Sequence, residues 1–288
     1  MAQSDKAIVI LGAALLLAIS GCSGDQQEPA AAAAGAEPPQ TTEAPMLEAP
    51  LVPDPLAVAT LEISYAETKD GLIRGYFVYP ESMVEPLPGI IMIHEWWGLN
   101  ETVKQSAAKL ASAGYIVLAI DLFDGDVAST TEQAAALSRR LLDDPEAADA
   151  NIIAAHEFLR QAAGAPVVGV IGWSMGGYWS LKSTRLLEDK IAAAVVYYGQ
   201  LDEDDEKIAA ISAPVQALYA GDDRSIPPQT VRNFRERADA LNKEIDVYIY
   251  PGVKHGFANP DDPRHDADTA AKAWARTFSF LEQHLKSG

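Results

Sequence analysis

Short, nearly unbroken apolar runs recur along the chain and alternate with stretches of helical spacing. GIIMIH (Gly89–His94), YIVLAID (Tyr115–Asp121) and PVVGVIG (Pro166–Gly172) are such runs. A strand that is apolar at every position has no face to offer to water, so it belongs inside a parallel sheet covered on both sides. Helical spacing follows the first run over about Glu101–Ala113. It follows the second over Thr130–Leu142 and Glu146–Ala163, and the third over Met175–Leu187. IAAAVVYYG, PVQALYAG and EIDVYIYPG add further strands, and a last helix is predicted from about Asp266 to Leu285. LEISYA and GLIRGYFVYP carry hairpin signals and are expected to open the domain antiparallel. The alternation predicts an α/β fold: a mostly parallel central sheet with helices on both faces. In such sheets sites form at the carboxyl ends of the strands.

The chain ahead of this pattern has a different character. Lys6 precedes an apolar run, Ala7–Ile19, that ends in Ile19-Ser20-Gly21-Cys22. About 13 apolar residues are too few to span a bilayer but suit the core of a signal peptide. Small residues leading to Cys22 resemble the lipobox of bacterial lipoproteins, which implies cleavage before Cys22 and its lipidation. The following residue is Ser23, not aspartate, which under that resemblance points to the outer membrane, facing the periplasm. The next stretch includes EPAAAAAGAEPPQTTEAP. It cannot bury enough apolar surface to offset chain entropy and reads as an extended tether. The expected organisation is a signal peptide over 1–21, a tether over 22–58 and a single domain over 59–288. The formal net charge of −19 leaves no basic footprint for nucleic acid.

Within the domain, Gly172-Trp173-Ser174-Met175-Gly176 stands between a predicted buried strand and a predicted helix. That is the strand–turn–helix setting of a nucleophile elbow, in which the flanking positions leave no room for side chains. Ser174 is the candidate nucleophile. It needs a base at the carboxyl end of a strand, and His255, in PGVKHGFANP after the last predicted strand, stands there. His156 and His284 are expected at the surface, His265 in a polar loop, and His94 in a shaping role beside Glu95. A carboxylate must orient the base. YAGDDRSIPP, after the preceding strand, offers both Asp222 and Asp223. Serine, then aspartate, then histidine is the chain order of α/β-hydrolases.

Four stretches, HEWWGLN (94–100), GWSMGG (172–177), GDDRSIPP (221–228) and HGFANP (255–260), together resemble the dienelactone hydrolase family. The resemblance covers nearly all of the domain. It implies an α/β-hydrolase fold without a large cap domain and a carboxylic ester hydrolase acting without cofactor or metal on a small-molecule ester. It makes Asp223, four residues before Pro227, the acid. It implies the backbone N–H groups of Trp96 and Met175 as oxyanion donors and Glu95 as a neighbour of the nucleophile. The family's founding members carry cysteine in the elbow, where this chain has Ser174 and where its single cysteine, Cys22, cannot serve. The dienelactone-cleaving members hold a carboxylate with two arginines. The matching positions here are Gly125 and Asn259, which points to uncharged esters. Arg224, beside the acid, is expected to face outward, and Gln200–Ser212 to form a solvated loop rather than a lid. The alternatives are a non-catalytic envelope binding protein on the same fold and a peptidase with the same triad.

Overall fold

The computed structural model describes residues 55–68 and 71–287. The expected signal peptide, Cys22 and tether lie outside them. The strands are β1 (Val58–Thr68), β2 (Gly71–Pro80), β3 (Gly89–Ile93), β4 (Ile116–Ile120), β5 (Val168–Trp173), β6 (Ala193–Tyr197), β7 (Val215–Ala220) and β8 (Ile245–Tyr250). The helices are α1 (Glu101–Ser112), α2 (Thr131–Asp143), α3 (Pro145–Glu157), α4 (Met175–Leu186), α5 (Asp205–Ala209), α6 (Pro228–Ala240) and α7 (Ala267–Leu285). A π-helical turn, Phe158–Ala162, continues α3.

All eight strands form one sheet in the order β1-β2-β4-β3-β5-β6-β7-β8. The opening hairpin is antiparallel, as is its junction with β4, and every later pairing is parallel. The continuous apolar runs are the fully buried strands: every residue of β3, β4, β5, β6 and β7 is buried.

The strand order places the site. From β3 the chain moves to one side, to β4, and then returns to the other side, to β5. The carboxyl ends of β3 and β5 therefore flank the point where the order reverses, the usual crevice of an open α/β sheet. Each end carries one of the singled-out stretches, HEWWGLN after β3 and Ser174 after β5.

Two segments differ from expectation. α6 was not anticipated. Its buried residues are only Val231, Phe234 and Ala238, a narrow stripe in an otherwise charged and polar sequence, so the periodic signal is thin. Gln200–Ser212 differs only in containing α5: most of it is exposed, as expected of a solvated loop, while a few residues pin it. Leu201, Ile208 and Ile211 are buried, and buried Asp202 pairs with Arg185 at 2.6 Å. His156 also departs from the surface position expected of it. It is buried, with Nε2 3.3 Å from the Lys190 carbonyl.

Candidate active site

Ser174 sits where β5 turns into α4, with φ 52° and ψ −113°. A serine seldom adopts a left-handed φ, and such strain collects at functional sites. Two close approaches hold it there. A Cβ on Gly172 would stand 2.2 Å from the Gly176 carbonyl oxygen, and one on Gly176 would stand 2.2 Å from the Ile93 carbonyl oxygen. Only glycine fits at either position. The second contact also presses the elbow against the end of β3. The Ser174 N–H donates to the Tyr197 carbonyl at 2.9 Å, fixing the turn to β6 as well.

The serine Oγ lies 2.9 Å from His255 Nε2, and His255 Nδ1 lies 2.8 Å from Asp223 Oδ2. Three strand ends, β5, β7 and β8, thus contribute to one hydrogen-bonded chain. Asp223 is buried while Asp222 is exposed, and only Asp223 reaches the imidazole. Burial alone would raise the Asp223 carboxyl. The hydrogen bond from His255, those from the N–H groups of Ile226 and Ser225, and the charge on His255 outweigh it and hold the carboxyl below its ordinary value. Arg224 is exposed, in line with an outward role.

Met175 opens α4, and Trp96 lies in the turn after β3. Among the described residues, no protein acceptor takes a hydrogen bond from either backbone N–H. Trp96 and Trp97 pack edge to face at 5.1 Å, both only half-buried.

Glu95 makes its contacts away from the serine. Its Oε1 accepts from Tyr198 Oη at 3.3 Å, and its Oε2 accepts from Asn259 Nδ2 at 2.5 Å. Burial raises the Glu95 carboxyl above its ordinary value, against the opposing pull of the Asn259 bond, the His255 charge and the Tyr198 bond. Tyr198 was not singled out from the sequence. It has φ 38°, its ring lies 4.9 Å from His255, and it links that imidazole to Glu95. Its only sequence signal is its place at the end of a strand, and that does not reveal the backbone angle.

The loops at the two missing arginines are ordered by their own acids. Asp121 accepts from the N–H groups of Phe123 and Gly125, at 2.8 and 2.5 Å. Asp126 pairs with Arg140, and Asp262 with Arg264 in a two-point contact. His94 is buried: its Nδ1 faces the Glu95 carbonyl, and its Nε2 accepts from Leu122 N–H, shaping the loop as expected. His265 is tied to the His255 loop through the Phe257 carbonyl.

A mostly parallel sheet with a serine elbow at its switch point defines an α/β-hydrolase. The sequence model of the dienelactone hydrolase family matches residues 73–285. The chain belongs to that family, and with it to the carboxylic ester hydrolases. Protein usf of Aquifex pyrophilus is 28% identical over 227 residues, 75% of this chain and 96% of that protein. Among solved structures, the dienelactone hydrolase-like promiscuous phosphotriesterase P91, from metagenomic libraries, superposes with a TM-score of 0.71 at 21% identity. That match covers 79% of this chain and 99% of P91. A cold-adapted esterase from an Arctic intertidal metagenomic library gives a TM-score of 0.64 at 21% identity, covering 80% and 95%. These two likenesses concern the fold.

Proposed function

We propose that the protein cleaves small, uncharged carboxylic esters through an acyl-enzyme on Ser174, while tethered to the cell envelope. The observation that carries the chemistry is the continuous chain Ser174–His255–Asp223. Ser174 Oγ attacks the ester carbonyl carbon as its proton passes to His255 Nε2. Asp223 holds the other ring nitrogen and stabilises the imidazolium. The N–H groups of Trp96 and Met175 receive the developing oxyanion, each typically worth about 3–4 kcal/mol in the transition state. The C–O bond then breaks and His255 returns the proton to the leaving alcohol. Water, activated by the same imidazole, attacks the acyl-enzyme, releasing the acid and restoring the serine.

The Glu95–Asn259 bond supports the preference for uncharged esters. Where an arginine would hold a substrate carboxylate, this chain places an amide already engaged by a carboxylate. Gly125 offers no side chain, and its N–H is taken by Asp121. A panel of esters of graded acyl length, with a covalent serine probe, tests the reading. Wild type should cleave the short neutral esters and take the label. Ser174→Ala should do neither, and label or turnover surviving in that variant overturns it.

The tether rests on Lys6, the apolar run and Cys22. Cleavage before Cys22 and its acylation would anchor the domain by lipid, on the outer membrane facing the periplasm. Stable attachment requires more than one acyl chain. Cys22→Ala should move the protein to the soluble fraction, and a variant still held by membranes overturns the anchor.

A further inference from the structure

Near the elbow lies a small cleft, partly open to solvent. Its walls are mostly apolar, from Val103, Trp173, Ala258 and Pro260, with Glu95, Asn100, Thr102, Ser106 and Asn259 adding polar groups. Ser174 and His255 are not among its walls, but the chain ties it to them. Trp173 precedes Ser174, Glu95 precedes Trp96, and Asn259 follows His255 by four residues. In space, the cleft wall Glu95 accepts from Tyr198, whose ring lies 4.9 Å from that of His255.

The walls have a definite chemistry. Among the described residues, no lysine, arginine or histidine lines the cleft, and Glu95 is the one lining residue able to carry charge. Its two oxygens each take one protein hydrogen bond, from Tyr198 and Asn259. A carboxylate has about four acceptor positions, so acceptor capacity remains, and it remains if the group is protonated. Thr102 donates to Asp261, which sets a second carboxylate next to the rim. The first turn of α1 would by itself favour an anion. Asn100 already accepts from the Val103 N–H there, and the two carboxylates oppose it. An alkyl group in the cleft would leave Glu95 under-satisfied, and a carboxylate would be repelled.

We infer that the cleft is a subsite for a hydroxyl-bearing substituent of the ester substrate, with Glu95 as the specificity-determining acceptor. The inference rests on the ester-hydrolase reading above and names its substrate class: short hydroxy-esters.

The test compares matched pairs. On the acyl side these are esters of 3-hydroxybutyrate and butyrate; on the alcohol side, 2-hydroxyethyl and propyl butyrate. A hemisuccinate ester serves as the anionic arm. The hydroxyl-bearing member of at least one pair should show kcat/KM roughly tenfold higher, the effect of about one net hydrogen bond. Glu95→Leu, and independently Ser106→Leu, which fills the cleft, should bring that ratio to near one. A ratio within one variant does not depend on how much of it has folded. Binding of the same esters to Ser174→Ala by equilibrium dialysis gives a readout without turnover.

If butyrate esters are cleaved and both ratios are near one, the subsite is overturned and the hydrolase reading stands. Faster cleavage of the hemisuccinate than of every other ester also overturns it. If nothing is cleaved but the hydroxy-ester binds roughly tenfold tighter in a Glu95-dependent way, the subsite stands and the hydrolase reading falls. Absent or equal binding together with absent turnover overturns both.

Discussion

Asp223 touches no substrate in the proposed mechanism, yet the reaction should depend on it. Its Oδ2 fixes the His255 tautomer, while its Oδ1 is held by the N–H groups of Ser225 and Ile226. Asp223→Asn can keep that backbone turn but presents the wrong partner to Nδ1. The expected outcome is a fall in kcat of about 10³–10⁴-fold with a small change in KM, read by steady-state kinetics on a butyrate ester. Glu95 yields a prediction on stability. Burial raises its carboxyl in the folded protein. Between its unfolded and folded values the native state holds a proton that the unfolded state has lost. The contribution of Glu95 is therefore fully present below the unfolded value and declines as pH rises through the folded one. Glu95→Gln escapes this decline. Its stability relative to wild type should improve as pH rises above the ordinary glutamate value, as measured by urea unfolding. A difference that stays flat or reverses would show that Glu95 is not held by burial. Restoring the family's arginines faces different obstacles at the two positions. Gly125 has φ 93°, which strains any side chain, whereas Asn259 lines the cleft beside Glu95.

At the scale of elements, the elbow depends on how closely α4 approaches β3. Gly176→Ala puts a methyl against backbone oxygens of Ile93 and His94, which cannot swing away as a side chain can. The loss should reach about 3 kcal/mol by urea unfolding, and the folded fraction should lose serine labelling because the turn has shifted. The segment joining β6 to β7 is held differently. Arg185 on α4 reaches buried Asp202, and both side chains are largely shielded from water. Arg185→Leu leaves a buried carboxylate with only the longer contact to Lys207 at 3.6 Å. It should cost about 3–5 kcal/mol, and hydrogen exchange should rise over 200–212. These two contacts mark what the sequence could and could not tell. The buried strands were legible because every one of their positions is apolar. The elbow was legible because glycine flanks a serine between a strand and a helix. Long-range charge pairing was not, since nothing within LDEDDE marks Asp202 as the one acid that is buried against Arg185. Glu95 was flagged only through resemblance. Its real partners, Tyr198 and Asn259, lie 103 and 164 residues away. α6 was missed for the opposite reason: its three buried residues are too sparse to separate it from a polar loop.

For the molecule as a whole, strand order and charge act together. The order puts the reacting serine at the sheet's switch point, in a crevice whose neighbouring loops carry Asp121, Asp124, Asp126, Asp261 and Asp262. Asp126 and Asp262 are paired with arginines, which cancels part of the local field. The net charge of −19 remains. An anionic lactone approaching such a molecule is repelled over a distance set by ionic strength, and in the crevice it meets no free guanidinium in the places where the dienelactone-cleaving members carry one. A neutral ester feels neither effect. Wild type should therefore cleave a neutral butyrate ester much faster than dienelactone. Added salt should narrow the gap between the two substrates. Raising ionic strength from about 0.01 M to about 0.3 M shortens the screening length from roughly 30 Å to below 10 Å. The kcat/KM for the lactone should then rise roughly threefold or more, while that for the butyrate ester stays flat. Since the reacting groups are shared, a salt effect on the ratio reports the field and not the chemistry. A lactone cleaved as fast as the butyrate, with a rate that falls on adding salt, would mean that a cation such as Arg224 or Arg264 turns inward and receives the carboxylate after all.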